Sequence, residues 1–457
     1  ENSLKKTKFL SNCAGPPLYT FWGSLVVLSA LWWQADPTDW SSLHGLFAWR
    51  NVLNQYTGIL GIGVMSLAML LAVRPVFLER PLGGLDKMYR LHKWLGIAGL
   101  VLSISHWLIA KGPKWMVALG WLERRAKGQR PLLPDGSLQK FFMEQRGLAE
   151  GIGEWAFYVA ALLMVLALIK RFPYRRFVQT HRWLAVTYLA LVAHAVVLVK
   201  FDYWNTALGI VLATLMAGGS IAAVMSLRGK RAGAAAVAGK VVALEHLAEV
   251  NVLTVDIQLT SGWRGHAAGQ FAFVTFHDDE GPHPFSIASC WKDDGHIRFL
   301  IKGLGDYTRS LPARLHIGDT VTVEGPYGCF DFRSEQPRQI WIGGGIGIAP
   351  FVARLKDLGR QPDGKAIDLF HTTATYDAVA IEKLRRDADA AQVKLHVLWD
   401  ARDGRLDLAR LQKAVPDWRE ADVWFCGPAR FGRMLRDGLV GRGFPAERFH
   451  QELFEMR

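Results

Sequence analysis

The chain carries two different hydrophobic rhythms. Between residues 1 and 228, apolar residues run on for about 17–25 positions at a time, the length a helix needs to cross a bilayer. These runs lie near 18–34, 55–73, 91–110, 153–170, 182–200 and 205–226. Residues 229–239, GKRAGAAAVAG, form a small-residue linker, and beyond them the runs shorten. Over 240–333 the stretches VVALEHL, VLTVDIQL, QFAFVTF, HPFSIAS, IRFLIKG and TVTVEGPY, broken by Gly, Pro and Asp, predict short antiparallel strands. From 338 onward apolar strands such as QIWIGG, AIDLFHT, KLHVLWD and DVWFCGP alternate with helical stretches, as in a parallel sheet covered by helices. The expected architecture is a multidomain membrane protein. It has an all-α six-helix transmembrane bundle over 1–228, an antiparallel β-barrel over 229–336 and an α/β parallel-sheet domain over 337–457.

The charges fit that division. The 457 residues are 50% hydrophobic and 21% charged, with a formal net charge of +13. Many of the basic residues flank the apolar runs, so contact with lipid headgroups accounts for them and nucleic acid is not an expected partner. Arg74, Arg80, Lys87 and Arg90 lie between the second and third runs; Arg171, Arg175, Arg176 and Arg182 lie between the fourth and fifth; Arg228, Lys230 and Arg231 follow the sixth. Parity puts all three segments on one side, expected to be the cytoplasm, together with the polar half of the chain. An integral protein of a bacterial inner membrane is expected. The loop 111–152 runs against this, with eight basic residues on the outer side: Lys111, Lys114, Arg124, Arg125, Lys127, Arg130, Lys140 and Arg146. The charge rule weakens over longer loops, and KWMVALGWL, 114–122, is expected to lie in the interface. The basic opening, with Lys5, Lys6 and Lys8, is not expected to be a cleavable signal. Cys13, Cys290, Cys329 and Cys426 have no CxxC spacing, so neither an iron–sulfur cluster nor a zinc ribbon is expected.

Four histidines fall within two of the apolar runs: His92 and His106 in the third, His181 and His194 in the fifth. An ionisable side chain inside a membrane is costly and points to function. Fourteen residues of helix rise about 21 Å, and the two helices run in the same direction. His92 is therefore expected to face His181 near the inner surface, and His106 to face His194 near the outer. Paired neutral imidazoles suit the axial positions of two haems, with Gly96 and Gly99 admitting a porphyrin. One feature resists. Fourteen steps of about 100° return His106 to within about 40° of His92, whereas thirteen leave His194 about 140° from His181. The fifth helix is expected to be locally overwound, or its ligands to reach obliquely.

The second half adds short motifs. In HPFSIAS, 283–289, Ser286 is a candidate to hydrogen-bond a flavin near N5 and Phe285 to pack on its rings, with His283 and Pro284 beside them. In GDYTRSL, 305–311, turn amides from Gly305 and the Thr308 hydroxyl are candidates for a pyrophosphate, with charge from Lys302. Either motif alone is also an ordinary capped turn. IGGGIGIAPF, 342–351, sets Gly343, Gly344, Gly345 and Gly347 between a strand and a helix, where phosphate can approach backbone, although the GxGxxG spacing is missing. In WFCGPAR, 424–430, Cys426, Gly427 and Pro428 follow a strand, and the Cys426 thiol is either a nicotinamide contact or a buried, inert cysteine.

Together these motifs resemble the NADPH oxidase and ferric reductase superfamily over nearly the whole chain, down to the unequal histidine spacings of 14 and 13. The resemblance implies FAD and two b-type haems as cofactors, NADPH or NADH as donor, and a ferredoxin–NADP reductase-like module. It also implies a C-terminal aromatic stacked on the flavin, here Phe454, followed unusually by Glu455, Met456 and Arg457. Arg50 matches the cationic group that oxidases of this family keep near the outer haem. Position 110 is Ala where some members carry a second histidine. Tyr188 is a candidate for the gap between the haems, with simple packing as the other reading. The implied reaction passes electrons from NAD(P)H to oxygen, producing superoxide. A transmembrane ferric reductase, or an electron-feeding subunit docking a partner at 111–152, is the alternative. After the second nucleotide-domain strand come His371, Thr372, Thr373, Ala374 and Thr375, with no basic residue for a 2′-phosphate. Arg402 and Arg405 are the expected substitutes, so NADPH is expected with tolerance for NADH.

Overall fold

The computed structural model describes residues 16–36, 38, 40–123, 133–169, 174–229, 236–260 and 262–452. They form two compact units, one drawn from within residues 1–83 and 87–232 and the other from within 84–86 and 233–456.

The first unit is helical. Its helices are α1 (Pro16–Ala35), α2 (Leu46–Ala72), α3 (Val76–Leu82), α4 (Leu85–Ala118), α5 (Leu138–Leu168), α6 (Tyr174–Arg182), α7 (Leu184–Leu198) and α8 (Ala207–Leu227). Among the described residues, five helical segments are long and apolar enough to cross a membrane: Leu46–Ala72, Leu85–Ala118, Leu138–Leu168, Arg176–Leu198 and Ala207–Leu227. The first expected span is a helix too, α1, but its prolines, tryptophans and polar residues keep it out of that set.

Several helices outrun the apolar runs. The 34 residues of α4 rise about 51 Å, against about 30 Å of hydrocarbon. Residues 114–118, expected in an interfacial element, are its last turns, and α5 begins fifteen residues before its apolar run. Hydropathy marks where a helix is immersed; backbone hydrogen bonding carries it on into the polar layer. The ion pair Lys111–Glu154, 2.6 Å, ties α4 to α5 near this end. At the far end of α1 the buried Asp36 accepts from Lys200 Nζ at 2.9 Å and from the Tyr203 and Thr38 hydroxyls. Gln55 of α2 meanwhile bonds the Leu198 carbonyl and the Lys200 amide at 3.1 and 3.2 Å. A buried carboxylate is tolerated because several donors meet it.

The second unit carries two sheets. Strands β1 (Ala236–Leu247), β2 (Val252–Leu259), β3 (Phe271–Thr275), β4 (His283–Ser286), β5 (His296–Lys302) and β6 (Thr320–Tyr327) form an antiparallel sheet in the order β4-β3-β6-β1-β2-β5. An isolated bridge, Ile287–Phe299, joins its two edges. Residues 236–239, read as linker, are strand, pairing Ala236 with Glu324. The second sheet is parallel: β7 (Arg338–Gly344), β8 (Ala366–Thr373), β9 (Lys394–Trp399), β10 (Ala421–Cys426) and β11 (Phe449–Gln451), in the order β11-β10-β7-β8-β9. Helices α9 (Asp306–Arg314), α10 (Ala349–Leu358), α11 (Ala378–Ala390), α12 (Asp400–Asp403), α13 (Leu408–Ala414) and α14 (Ala429–Val440) complete the unit. Chain order reverses between β7 and β10, which makes their C-terminal ends the crevice where ligands bind such sheets.

Gly269 precedes β3 at φ +93, and a Cβ there would fall on the Phe330 carbonyl oxygen, whereas Gly364 at φ +73 faces open space. Gly269→Ala is expected to cost at least about 2 kcal/mol and Gly364→Ala about 1 kcal/mol or less. Thermal unfolding of the purified protein, followed through the reductase half, checks the difference; equal shifts would contradict it.

Candidate functional site

The four membrane histidines meet in two pairs. The rings of His92 and His181 lie 6.0 Å apart, centre to centre, and those of His106 and His194 lie 6.3 Å apart. A metal held between two imidazoles by bonds of about 2.0–2.1 Å puts the ring centres about 6 Å apart, so both pairs fit a single iron. Among the described residues no cluster of three or more His, Cys, Asp or Glu forms a metal site. Two protein ligands per iron suffice where a porphyrin brings four nitrogens of its own.

The outer faces of the rings settle which nitrogen is offered. His92 Nδ1 lies 2.9 Å from the Ala68 carbonyl and His194 Nδ1 lies 2.8 Å from the Ala149 carbonyl. A carbonyl only accepts, so each Nδ1 carries the proton and each Nε2 presents its lone pair. His106 Nδ1 is 3.2 Å from the Thr57 hydroxyl, whose own proton goes to the Leu53 carbonyl at 2.7 Å, so here too Nδ1 donates. His181 Nδ1 is buried with no hydrogen-bond partner among the described residues, and its ring stacks on Phe177 at 5.0 Å. Such bonds behind a ligand hold its ring and raise its basicity. The sequence reading missed Ala68, Thr57, Ala149 and Gly153. A Cβ on Gly153 would collide with the His194 ring, and one on Gly58 would come within 3.2 Å of His106. The signal for α5 was present in the small-residue row Ala149, Gly153, Ala156 and Ala160, its buried face.

The thirteen-residue spacing closes through a break. Helix α6 ends at Arg182 and α7 starts at Leu184, and the junction is made by i→i+3 bonds from Trp183 to Thr180 and from Val186 to Trp183. Such turns hold about three residues rather than 3.6, which overwinds the chain between the two histidines. Arg50 donates to the Ala110 carbonyl at 3.1 Å, one turn beyond His106. Tyr188 is buried against α2 and α8, its hydroxyl 2.8 Å from Ser66 and close to Gly219. Packing is therefore the role its surroundings support.

In the second unit, β4 and α9 bring the two flavin motifs together: the His283 ring stacks on Tyr307 at 4.7 Å, and the Tyr307 hydroxyl is 3.0 Å from His277 Nδ1. Burial pushes the Tyr307 phenol up to about 12. Phe285, a candidate to pack on the flavin, is partly buried against the sheet core beside Phe276 and Phe299. Strand alternation turns it to the face opposite Pro284 and Ser286. The half-buried Ser286 hydroxyl has no protein partner among the described residues. Thr308 accepts from the amides of Leu304 and Gly305, both at 3.0 Å, so its hydroxyl shapes the turn before it can meet a ligand.

At the switch point the two glycine loops clasp each other. A Cβ on Gly344 would come within 2.9 Å of Pro428, one on Gly427 within 3.0 Å of Gly344, and one on Gly347 would strike the Cys426 carbonyl. Gly343 is closed in by Ile348, while Gly345, at φ +56, faces Lys302, whose Nζ is 4.0 Å from its Cβ position. His371 bonds the Gly343 carbonyl at 3.3 Å, and burial lowers it to about 4. The Cys426 thiol is fully buried among core side chains, and burial pushes it far above its ordinary value. Phe454 lies outside the described residues.

Two families match in tandem: one described as ferric reductase like transmembrane component over residues 57–192, and one described as FAD-binding domain over 237–330. The chain has the domain arrangement of the NADPH oxidase and ferric reductase superfamily. A ferric reductase-like transmembrane component is thus joined to an FAD-binding domain. The half that carries this domain is similar to the toluate 1,2-dioxygenase electron transfer component of Pseudomonas putida, 25% identical over 48% of this chain and 68% of that protein. It is also similar to the stachydrine N-demethylase reductase subunit of Rhizobium meliloti, 28% identical over 45% and 63%, and to a flavohemoprotein of Chromobacterium violaceum, 32% identical over 34% and 41%. The chain therefore spans about two thirds or less of these relatives' own length. A solved ferredoxin reductase in carbazole 1,9a-dioxygenase aligns with TM-score 0.41 at 22% identity, covering 48% of this chain and 67% of that one.

The burial of Cys426 yields a check within this reductase-type half. At pH 8 the Cys426 thiol is expected to resist iodoacetamide in the native protein and to react only on unfolding. Mass spectrometry of the labelled peptides reads this; rapid native labelling would contradict the burial.

Proposed function

We propose that the chain is a transmembrane NAD(P)H oxidase, passing electrons from NAD(P)H through FAD and two b-type haems to oxygen on the opposite side of the membrane and releasing superoxide. The observation that carries this is the meeting of four membrane imidazoles in two pairs, with ring centres 6.0 and 6.3 Å apart. When bound, FAD accepts a hydride and the haems relay its electrons singly. His92 and His181 would hold the inner haem, and His106 and His194 the outer; in His92, His106 and His194 the nitrogen left free for iron is Nε2. Two imidazoles would hold each iron, so the haems would supply electrons to oxygen without binding it. Arg50, bonded one turn past His106, puts a positive charge where superoxide gains its negative one. Ser286, Gly305, Thr308 and Lys302 serve the flavin, Gly343, Gly344, Gly345, Gly347, Gly427 and Pro428 the nucleotide, and Phe454 covers the flavin until nicotinamide displaces it.

In this reading α1 is the sixth span, the antiparallel sheet is a flavin barrel, and the protein sits in a bacterial inner membrane with its dehydrogenase half in the cytoplasm. The domains divide at 1–228, 229–336 and 337–457. A ferric reductase is the second reading, favoured by the description of the family that matches residues 57–192.

Reduced-minus-oxidised spectra with haem quantification test the ligands. Each of His92→Leu, His106→Leu, His181→Leu and His194→Leu is expected to remove about one of two haems per chain and to leave FAD content unchanged. Gly153→Leu is expected to act like His194→Leu. Wild-type protein with no b-type absorbance would end the proposal. The acceptor is tested with purified protein, NADPH and oxygen. Cytochrome c reduction abolished by superoxide dismutase is expected; activity that appears only with a ferric chelate would select the second reading.

A further inference from the structure

We infer that the chain takes NADH in preference to NADPH, and that Asp403 sets this preference by holding Arg402. The inference rests on the reading of residues 338–452 as the nucleotide half of an NAD(P)H oxidoreductase, and it refines the donor expected from the residue types alone.

In a parallel sheet of this order the adenosine ribose lies at the C-terminal end of the second strand, and a 2′-phosphate there calls for an available cation. The second strand, β8, ends at Thr373, and no Lys or Arg follows before Lys383. The Thr373 hydroxyl donates to the Thr375 carbonyl at 2.7 Å and closes the turn. Thr373 is paired with Trp399, so the ends of β8 and β9 are level. The rings of Tyr376 and Trp399 lie 5.6 Å apart at 37°, an aromatic wall suited to the face of an adenine.

The two arginines just beyond β9 are already engaged. Arg402 sends Nε and one terminal nitrogen to the two oxygens of Asp403, both at 2.9 Å, and Asp403 also accepts from the Trp399 amide at 2.9 Å. Arg405 lies 3.7 Å from Asp400. Two cations are thus offset by two carboxylates. A 2′-phosphate, with close to two negative charges, would have to draw Arg402 out of a two-bonded pair while approaching both aspartates. A 2′-hydroxyl needs no cation. The Arg402–Asp403 pair is exposed, and exposed pairs are weak, so the expected discrimination is about tenfold rather than absolute.

The test is anaerobic stopped-flow reduction of the FAD-loaded full chain by each nucleotide, compared as kcat/KM. NADH is expected to be favoured by about tenfold. Asp403→Asn keeps an acceptor for the Trp399 amide but releases Arg402, and is expected to raise the NADPH-to-NADH ratio at least about fivefold. Adding Arg402→Ala is expected to return the ratio to that of the wild type. Should Asp403→Asn not fold, Asp400→Asn, which frees Arg405, carries the same test. A wild type that prefers NADPH, or an Arg402→Ala single variant whose NADPH-to-NADH ratio falls, overturns the inference alone. Failure of both nucleotides to reduce the flavin sinks the proposed function, and this inference with it.

Discussion

The membrane half depends on one kind of contact: an imidazole N–H given to a backbone or hydroxyl acceptor on a neighbouring helix. A helical carbonyl already bonds the amide four residues on, yet keeps a second lone pair. The side chain at that fourth position decides whether the second lone pair can be reached. Ala149 is followed at this interval by Gly153, and Ala68 by Ala72, so both carbonyls stay open to the rings of His194 and His92. With Nδ1 committed, the ring can neither turn nor change its tautomer freely, and Nε2 keeps its lone pair for a metal. Burial makes the commitment firm, because an unmade hydrogen bond in such surroundings costs more than in water.

That contact also explains the irregular helices. His106 lies fourteen residues past His92 on the unbroken α4, which an ordinary helix accommodates. His194 lies thirteen past His181, and a regular helix would turn the two rings to different faces. The junction at Trp183 absorbs the difference in a tightened turn, so the departure from regular geometry sits where the pairing demands it. The extension of α5 beyond its apolar run serves the same end: Ala149 belongs to that extension, Gly153 stands where the run begins, and a helix beginning at the hydrophobic boundary would leave His194 without its acceptor.

The reductase half relies on close approach of backbone instead. Gly344 and Gly427 bring the loops after β7 and β10 into contact at the one place where strand order reverses, and larger residues would push the crevice open. Its charge pattern is local. Whether Arg402 is a phosphate ligand or a spent cation turns on the residue beside it, Asp403, and not on the presence of an arginine.

From the sequence alone came the two-part plan, the four histidines and the order of the glycine and aromatic motifs. These are carried by periodicity and by residue types whose burial needs a reason, and both can be read along a chain. Helix ends at α4 and α5 could not be read that way, because backbone hydrogen bonding continues past the point where hydropathy stops. Nor could the acceptors at Ala68, Thr57 and Ala149, since a carbonyl belongs to every residue and only packing selects one. Tertiary structure likewise turned Phe285 toward the sheet core, buried the Cys426 thiol and paired Arg402 with Asp403. Each of these depends on which neighbour lies across a gap, a property that arises only when distant segments meet.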